Sequence, residues 1–252
     1  MSLLEARGVT KKFAGITALD NVDLDVAERE LVGLIGPNGA GKTTFFNCLL
    51  GILKPDAGAV TFDGRDLTRV PTHRRARLGI GRTFQRIELF TGMTPREHFI
   101  VADRCRSGRG SLLRDLLLMG RPSTDETARS ESMLDLLGLT SVADRKVESL
   151  SLGLGRLVEI GRALMTEPRL LLLDEPSSGL DRHETGALAD TLLEVHRARG
   201  TAILLVEHDV EFVRGFVERV FVLDFGTLIA SGPTYEVFAD VAVRKAYLGD
   251  LV

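Results

Sequence analysis

A chain of 252 residues with 44 % hydrophobic and 27 % charged side chains has the balance of a folded globular protein, long enough for one large domain or two modest lobes. A formal net charge of −3 excludes the global basic field that draws nucleic acid. The two cysteines, Cys48 and Cys105, follow no metal-ligand or paired spacing and read as free thiols of a reducing compartment, Cys48 in a core helix. Met1 to Ala6 breaks into charge too soon for a secretory leader. The longest apolar runs, Leu170 to Leu173 and Ala202 to Val206, fall far short of the ~20 residues of a bilayer span. A protein of this kind is expected not to be secreted, and at a membrane it would rely on another chain to cross.

Between Leu3 and Leu31, Val22, Leu24 and Val26 alternate against Asp23, Asp25 and Ala27, which predicts a half-buried sheet. Phe13 lies there between polar and small residues, a setting that suits a core ring as well as a ring stacked on a ligand base. Leu31 to Ile35 has the length and flanks of a buried strand. It runs into Gly36-Pro37-Asn38-Gly39-Ala40-Gly41-Lys42-Thr43-Thr44, a full match to the phosphate-loop pattern G-x-x-x-x-G-K-S/T. A strand leads in and a helix leads out, as the chemistry requires. Glycines let backbone N–H groups curl around a polyphosphate, and the new helix aims its free N–H groups and positive dipole end at the same anion. Lys42 would reach the terminal phosphates and the Thr43 hydroxyl would hold Mg²⁺ beside them.

The helix after the loop is expected over Lys42 to Leu53, stopped by Lys54-Pro55-Asp56-Ala57-Gly58. Val60 to Phe62 followed by Asp63-Gly64 reads as a strand and a hairpin turn. Six arginines from Arg69 to Arg86 form a basic cluster, most simply a solvated helix face, with Gly79 to Gln85 inside it. Residues from about Thr94 to Leu139 read as a helical insertion, with apolar spacing at Leu112, Leu113, Leu116 and Leu117 and again at Met133, Leu134, Leu136 and Leu137.

Ser151 is a plausible N-cap for an amphipathic helix to Met165, and Pro168 follows its end. Four leucines from Leu170 then deliver Asp174-Glu175 to a strand's C-terminal edge, where open parallel sheets hold ligands. A helix over Arg182 to Arg199 and a strand over Thr201 to Val206 repeat the alternation, ending in Glu207-His208-Asp209. Val210 to Val217, Val220 to Leu223 and an Asp224-Phe225-Gly226 turn close the core.

A phosphate loop alone implies only a nucleotide. Asp174 suits a water-mediated Mg²⁺ contact, and the adjacent Glu175 suits a general base that orients an attacking water. His208, past the neighbouring strand, is placed to reach the γ-phosphate side of the same site, whereas Gln85 by itself says nothing.

In combination, the order GPNGAGKTT, Gln85, LSLGLGRLVEIGRAL from Leu150, LLLLDEP from Leu170, SGLD from Ser178 and His208 resembles the nucleotide-binding subunit of ABC transporters over essentially the whole chain. The resemblance implies an α/β fold: a P-loop NTPase core with a mainly parallel sheet, an N-terminal antiparallel β-subdomain and an inserted helical subdomain. The whole chain, 1–252, would be one nucleotide-binding domain with the helical part at about 90–160. It also implies that Phe13 stacks on adenine, that Gln85 touches Mg²⁺ or the lytic water, and that His208 contacts the γ-phosphate. Ser151 and Gly153 would approach the ATP of a partner subunit and Asp181 would communicate across that dimer. Leu152 and Leu154 depart from the family's usual LSGGQ, which implies slower or more tightly coupled hydrolysis.

Arg82 to Phe90, Val206 to Asp209 and Ala246 to Asp250 are most similar to ATP-binding subunits of branched-chain amino-acid importers and their urea and amide relatives. The implied activity is hydrolysis of ATP with Mg²⁺, at the cytoplasmic face of the membrane, to drive uptake of a small polar solute. The implied partners are permease subunits, a second ATP-binding subunit (itself or a paralogue) and a solute-binding protein, with no nucleic acid. The coupling surface would lie near Phe90 to Phe99, and the Arg69 to Arg86 cluster would flank it or meet lipid head groups. The alternatives are the ATPase of a lipid or lipopolysaccharide exporter and a soluble ABC ATPase acting on nucleic acid.

Overall fold

The computed structural model describes residues 2–83, 87–107 and 122–248. Strands β1 (Ser2–Phe13) and β2 (Ile16–Ala27) pair as one long antiparallel hairpin, with Val22, Leu24 and Val26 buried as their alternation requires. Strand β4 (Ala57–Phe62) pairs antiparallel with β1, and Asp63 and Gly64, both at positive φ, turn the chain into the short β5 (Arg65–Asp66). These four strands make a sheet in the order β2-β1-β4-β5.

A second, six-stranded sheet has the order β10-β9-β3-β8-β7-β6. Its members are β3 (Leu31–Ile35), β6 (Ile80–Arg82), β7 (Leu170–Asp174), β8 (Ala202–Glu207), β9 (Arg219–Asp224) and β10 (Thr227–Pro233). All neighbours are parallel except β9 and β10, which form a hairpin. Leu170, Leu172, Leu204 and Val206 face one core, shared with helix α1 (Lys42–Leu50) and the antiparallel sheet. Leu171, Leu173, Ile203 and Leu205 face a second core, lined by helices. With both faces covered, these strands read as unbroken apolar runs instead of alternating ones.

Helix α1 stops three residues short of the expected Leu53, capped by Gly51 in the left-handed conformation. The reason lies in helix α2 (Thr72–Arg77), where Arg75 is only 2 % exposed. Its guanidinium donates to the carbonyls of Cys48 and Leu49 in the last turn of α1, at 3.1 and 2.5 Å, and to those of Leu67 and Val70. The solvated-face expectation holds for Arg69, Arg74 and Arg77, which are exposed, and fails for Arg75. A side chain so enclosed cannot meet lipid head groups, so Arg75 drops out of that expectation. Arg86 lies outside the described residues.

Helices α3 (Pro95–Ser107), α4 (Thr124–Leu136) and α5 (Leu152–Leu164) contribute Phe99, Met133, Leu134 and Val158 to the second core. Ion pairs Arg104–Glu126 and Arg129–Asp103 fasten α3 to α4, the latter on an aspartate that is 1 % exposed. The leucines expected at 112–117 lie outside the described residues. Helix α6 (Arg182–Arg199) has the bounds expected of it, because a capping box at Asp181 and Glu184 starts it and Gly200 ends it. Helices α7 (Val210–Phe216), α8 (Thr234–Val237) and α9 (Val241–Leu248) complete the chain. Among the described residues no helix is long and apolar enough to cross a membrane.

Candidate functional site

The loop between β3 and α1 threads a narrow passage. A Cβ on Gly36 would lie 2.1 Å from the Leu223 carbonyl oxygen, and one on Gly41 would lie 2.7 Å from that of Ala18, so both positions need glycine. The β9–β10 turn is tied to the loop by Gly226 N–H donating to Ala40 O at 2.9 Å, and to β2 by Asp20 N–H donating to Gly226 O at 2.8 Å. Helix α1 begins without a side-chain cap, leaving its first N–H groups for an anion. Lys42 is 5 % exposed and its Nζ donates to Gly36 O at 2.7 Å and Pro37 O at 3.0 Å. Burial holds its ammonium below the usual lysine range, against the pull of Glu175, Asp174 and Glu207.

The parallel register carries the acids to the same sheet edge: Asp174 of β7 stands beside Val206 of β8, and Glu207 of β8 beside Ile35 of β3. Burial, reinforced by the charges of Glu175 and Glu207, pushes the Asp174 carboxyl up to about 6. Glu175 adopts a left-handed backbone at φ 45°, its N–H donating to Val206 O at 2.9 Å. Such a conformation costs a non-glycine residue roughly 1–3 kcal/mol and persists where the surroundings enforce it. His208 Nδ1 lies 3.8 Å from Glu175 Oε1, so the predicted base and the predicted γ-phosphate contact stand together. A cavity of about 490 Å³ is lined by Asn38 to Thr44 together with Glu175, Ile16 and Phe225. Phosphate-binding loop and candidate base thus share one space, large enough for a nucleotide.

The remaining expected site residues are dispersed. Phe13 faces Ile16 across the tip of the β1–β2 hairpin, with Lys11 Nζ 5.4 Å from its ring centre, and does not line this cavity. The Ser151 Oγ accepts Leu154 N–H at 3.3 Å as the cap of α5. Gly153 and Leu152 lie against Glu184 and Gly179, near the start of α6. Asp181 caps α6 by accepting Glu184 N–H at 2.8 Å. Gln85 lies outside the described residues, but Thr83, two positions earlier, donates its N–H to Leu172 O at 3.0 Å and so leads toward the end of β7.

Three contributors escaped sequence reading. Phe225 is 87 % exposed and Ile16 is 71 % exposed, both on the rim of the cavity. The only signal for Phe225 was an aromatic in a turn read as a connection, and Ile16 carried none. The third is Glu207, buried completely behind His208.

A family description, ABC transporter, matches residues 19–178. The chain belongs to that family. It is 40 % identical over 250 residues to the high-affinity branched-chain amino acid transport ATP-binding protein LivG of Salmonella typhimurium, covering 98 % of each chain. BraF of Pseudomonas aeruginosa, which carries the same description, is 37 % identical over 98 % of each. The lipopolysaccharide export system ATP-binding protein LptB of Acidithiobacillus ferridurans is 36 % identical over 98 % of this chain and 97 % of its own. Among solved structures, the ADP conformation of MJ1267, an ATP-binding cassette of an ABC transporter, superposes with a TM-score of 0.85 at 33 % identity, covering 99 % and 100 % of the two chains. A dimeric, post-hydrolysis structure of the cassette MJ0796 with ADP and phosphate gives a TM-score of 0.75 at 26 % identity, covering 92 % and 98 %. The protein is therefore an ATP-binding cassette, the ATP-hydrolysing subunit of an ABC transporter, and its sheets and helices are those of that fold.

Proposed function

We propose that this cassette works as a dimer on the cytoplasmic face of a membrane and energises uptake of branched-chain amino acids through a separate permease. The observation that carries the ATPase reading is the single cavity lined by Asn38 to Thr44 and by Glu175. The cargo follows from the names of LivG and BraF, since nothing in an ATP site recognises an amino acid.

Mg²⁺ fits the residues present. Asp174 is a carboxylate in a site with excess negative charge, and the Thr43 hydroxyl is a second hard oxygen donor. No group of three or more metal-binding side chains occurs among the described residues, in keeping with a metal held by one or two protein oxygens and the substrate's phosphates. Asp174 and Thr43 would hold it, and bound there it would neutralise charge building on the phosphates. Lys42 would exchange the carbonyls of Gly36 and Pro37 for phosphate oxygens. Glu175 would accept a proton from the attacking water, and His208 would hold the transferred group's oxygen from beside it. Ser151 and Gly153 of one subunit would close over the ATP of the other, with Asp181 beside that junction, and Gln85 would report on the lytic water. The base would lie against Phe225 and Ile16, with Phe13 as the second ring at that end.

A second cavity, of about 350 Å³, lies between α2, β6, α3 and α5. Val101, Ala102, Ala163 and the 53 % exposed Phe90 line it. An apolar depression on the helical part, 90–160, suits a short cytoplasmic helix of the permease. A solute-binding protein would deliver cargo on the far side. The test is transport: deleting the gene should abolish energy-dependent uptake of radiolabelled leucine in its host, with restoration by wild type and not by Glu175→Gln. Unchanged leucine uptake together with accumulation of lipopolysaccharide precursors would move the assignment to export.

A further inference from the structure

Glu207 is a fully buried carboxylate at the end of β8, and it accepts four hydrogen bonds. Oε1 takes Ser177 N–H at 3.0 Å and Ser177 O–H at 2.5 Å; Oε2 takes His208 N–H at 3.0 Å and Asp209 N–H at 3.4 Å. One oxygen therefore grips the loop that follows Glu175, and the other grips the loop that begins with His208. Burying a charge is costly unless its lone pairs are satisfied, and here they are satisfied by donors from two segments, both of which carry the hydrolytic groups.

His208 explains why this matters. Its side chain is 52 % exposed, and its ring nitrogen stands 3.8 Å from both Glu175 and Glu207, beyond hydrogen-bond range. Among the described residues no side-chain contact within hydrogen-bond range fixes the imidazole, so its position is set by its backbone. The backbone amides of His208 and Asp209 are what Glu207 holds. Asp209 in turn caps α7 by accepting the N–H groups of Glu211 and Phe212, which extends the same alignment into the helix.

We propose that Glu207 is a positioning residue for ATP hydrolysis, a buried clamp that sets His208 against Glu175 by joining the loops after β7 and β8. The inference rests on the ATPase reading above. A neutral amide could keep the Ser177 donors on its oxygen, but its NH₂ would then confront the His208 and Asp209 N–H groups, donor against donor. Glu207→Gln should thus free the His208 loop selectively while leaving the cavity intact.

The experiment is a double-mutant cycle on Mg-ATP hydrolysis by the full chain. In the wild-type background Glu207→Gln should lower kcat at least about tenfold and change KM for ATP less than about twofold. In a His208→Ala background the same substitution should change the residual rate less than about twofold, because the residue it positions is gone. An equal loss in both backgrounds would reveal a general structural role and overturn the proposal, as would a kcat for Glu207→Gln within twofold of wild type. If Glu207→Gln does not fold, Ser177→Ala serves: it removes one bond without burying an unmatched donor. It should lower kcat about threefold and speed hydrogen exchange at the His208 and Asp209 amides, and no change in either would equally overturn the clamp. Wild-type protein without ATPase activity would refute the parent reading instead, so the two failures are distinct.

Discussion

His98 Nε2 accepts the backbone N–H of Phe90 at 2.9 Å, and the two rings stack with centroids 5.6 Å apart. Nδ1 faces the Thr94 carbonyl oxygen at 2.9 Å, which can only accept, so the proton sits on Nδ1 and the ring is neutral. Burial, with the nearby Arg162 charge, holds the folded-state pKa below the ordinary 6.5. Below pH 6.5 the unfolded chain takes up a proton that the folded chain refuses. Stability is therefore full above that pH and falls as pH drops toward the folded value, by up to about 1.4 kcal/mol per unit. Urea unfolding of wild type from pH 7.5 to 5 should show this slope, and His98→Gln should flatten it.

Arg75 closes the carboxyl end of α1 from a neighbouring helix. Arg75→Met would remove the guanidinium's bonds to the carbonyls of Cys48, Leu49, Leu67 and Val70 in a buried setting, Cys48 and Leu67 keeping the N–H groups of Gly51 and Val70, at a cost of about 3–5 kcal/mol. Arg74→Glu, on an exposed side chain, should stay within about 0.5 kcal/mol. Denaturant midpoints measure both, and comparable losses would show that Arg75 is not the cap.

Phe225 presents its ring to solvent at the nucleotide cavity, so its removal should leave Tm almost unchanged. Phe225→Ala should weaken ATP binding by about 1–2 kcal/mol, the scale of base–aromatic stacking, while inorganic tripolyphosphate binds as before. Calorimetric titration of both ligands separates loss of base contact from damage to the loop. A Phe13→Ala variant measured alongside ranks the two rings.

Glu175→Gln should slow hydrolysis by about 10²–10⁴ while sparing ATP affinity. Size-exclusion chromatography should then find a dimer with saturating ATP and a monomer without it. Normal turnover would remove Glu175 from the role of base.

The sequence announced what local chemistry encodes. The glycine-rich loop, the Ser151 cap and the apolar runs of β7 and β8 all fell where their residue types demanded. Contacts made over long separations were not legible. Arg75 looked like its exposed neighbours because its carbonyl partners include residues 26 and 27 positions away. Phe225 read as a turn residue because its proximity to the phosphate loop depends on Gly226 meeting Ala40. Glu207 gave no hint of its task because Ser177 is 30 residues upstream.

The four leucines of β7 look alike from either side of the sheet. Sliding that strand by one residue would exchange Leu170 and Leu172 for Leu171 and Leu173, and both cores would still receive leucine. Hydrophobic matching therefore leaves the strand unmarked along its length, and its alignment has to be read from its two ends. At one end Arg169 pairs with Asp63 and accepts Ala202 N–H on its carbonyl; at the other Glu175 N–H meets Val206 O. The candidate base and the Arg169–Asp63 pair thus mark the two ends of one strand, and the alignment of either end fixes that of the other.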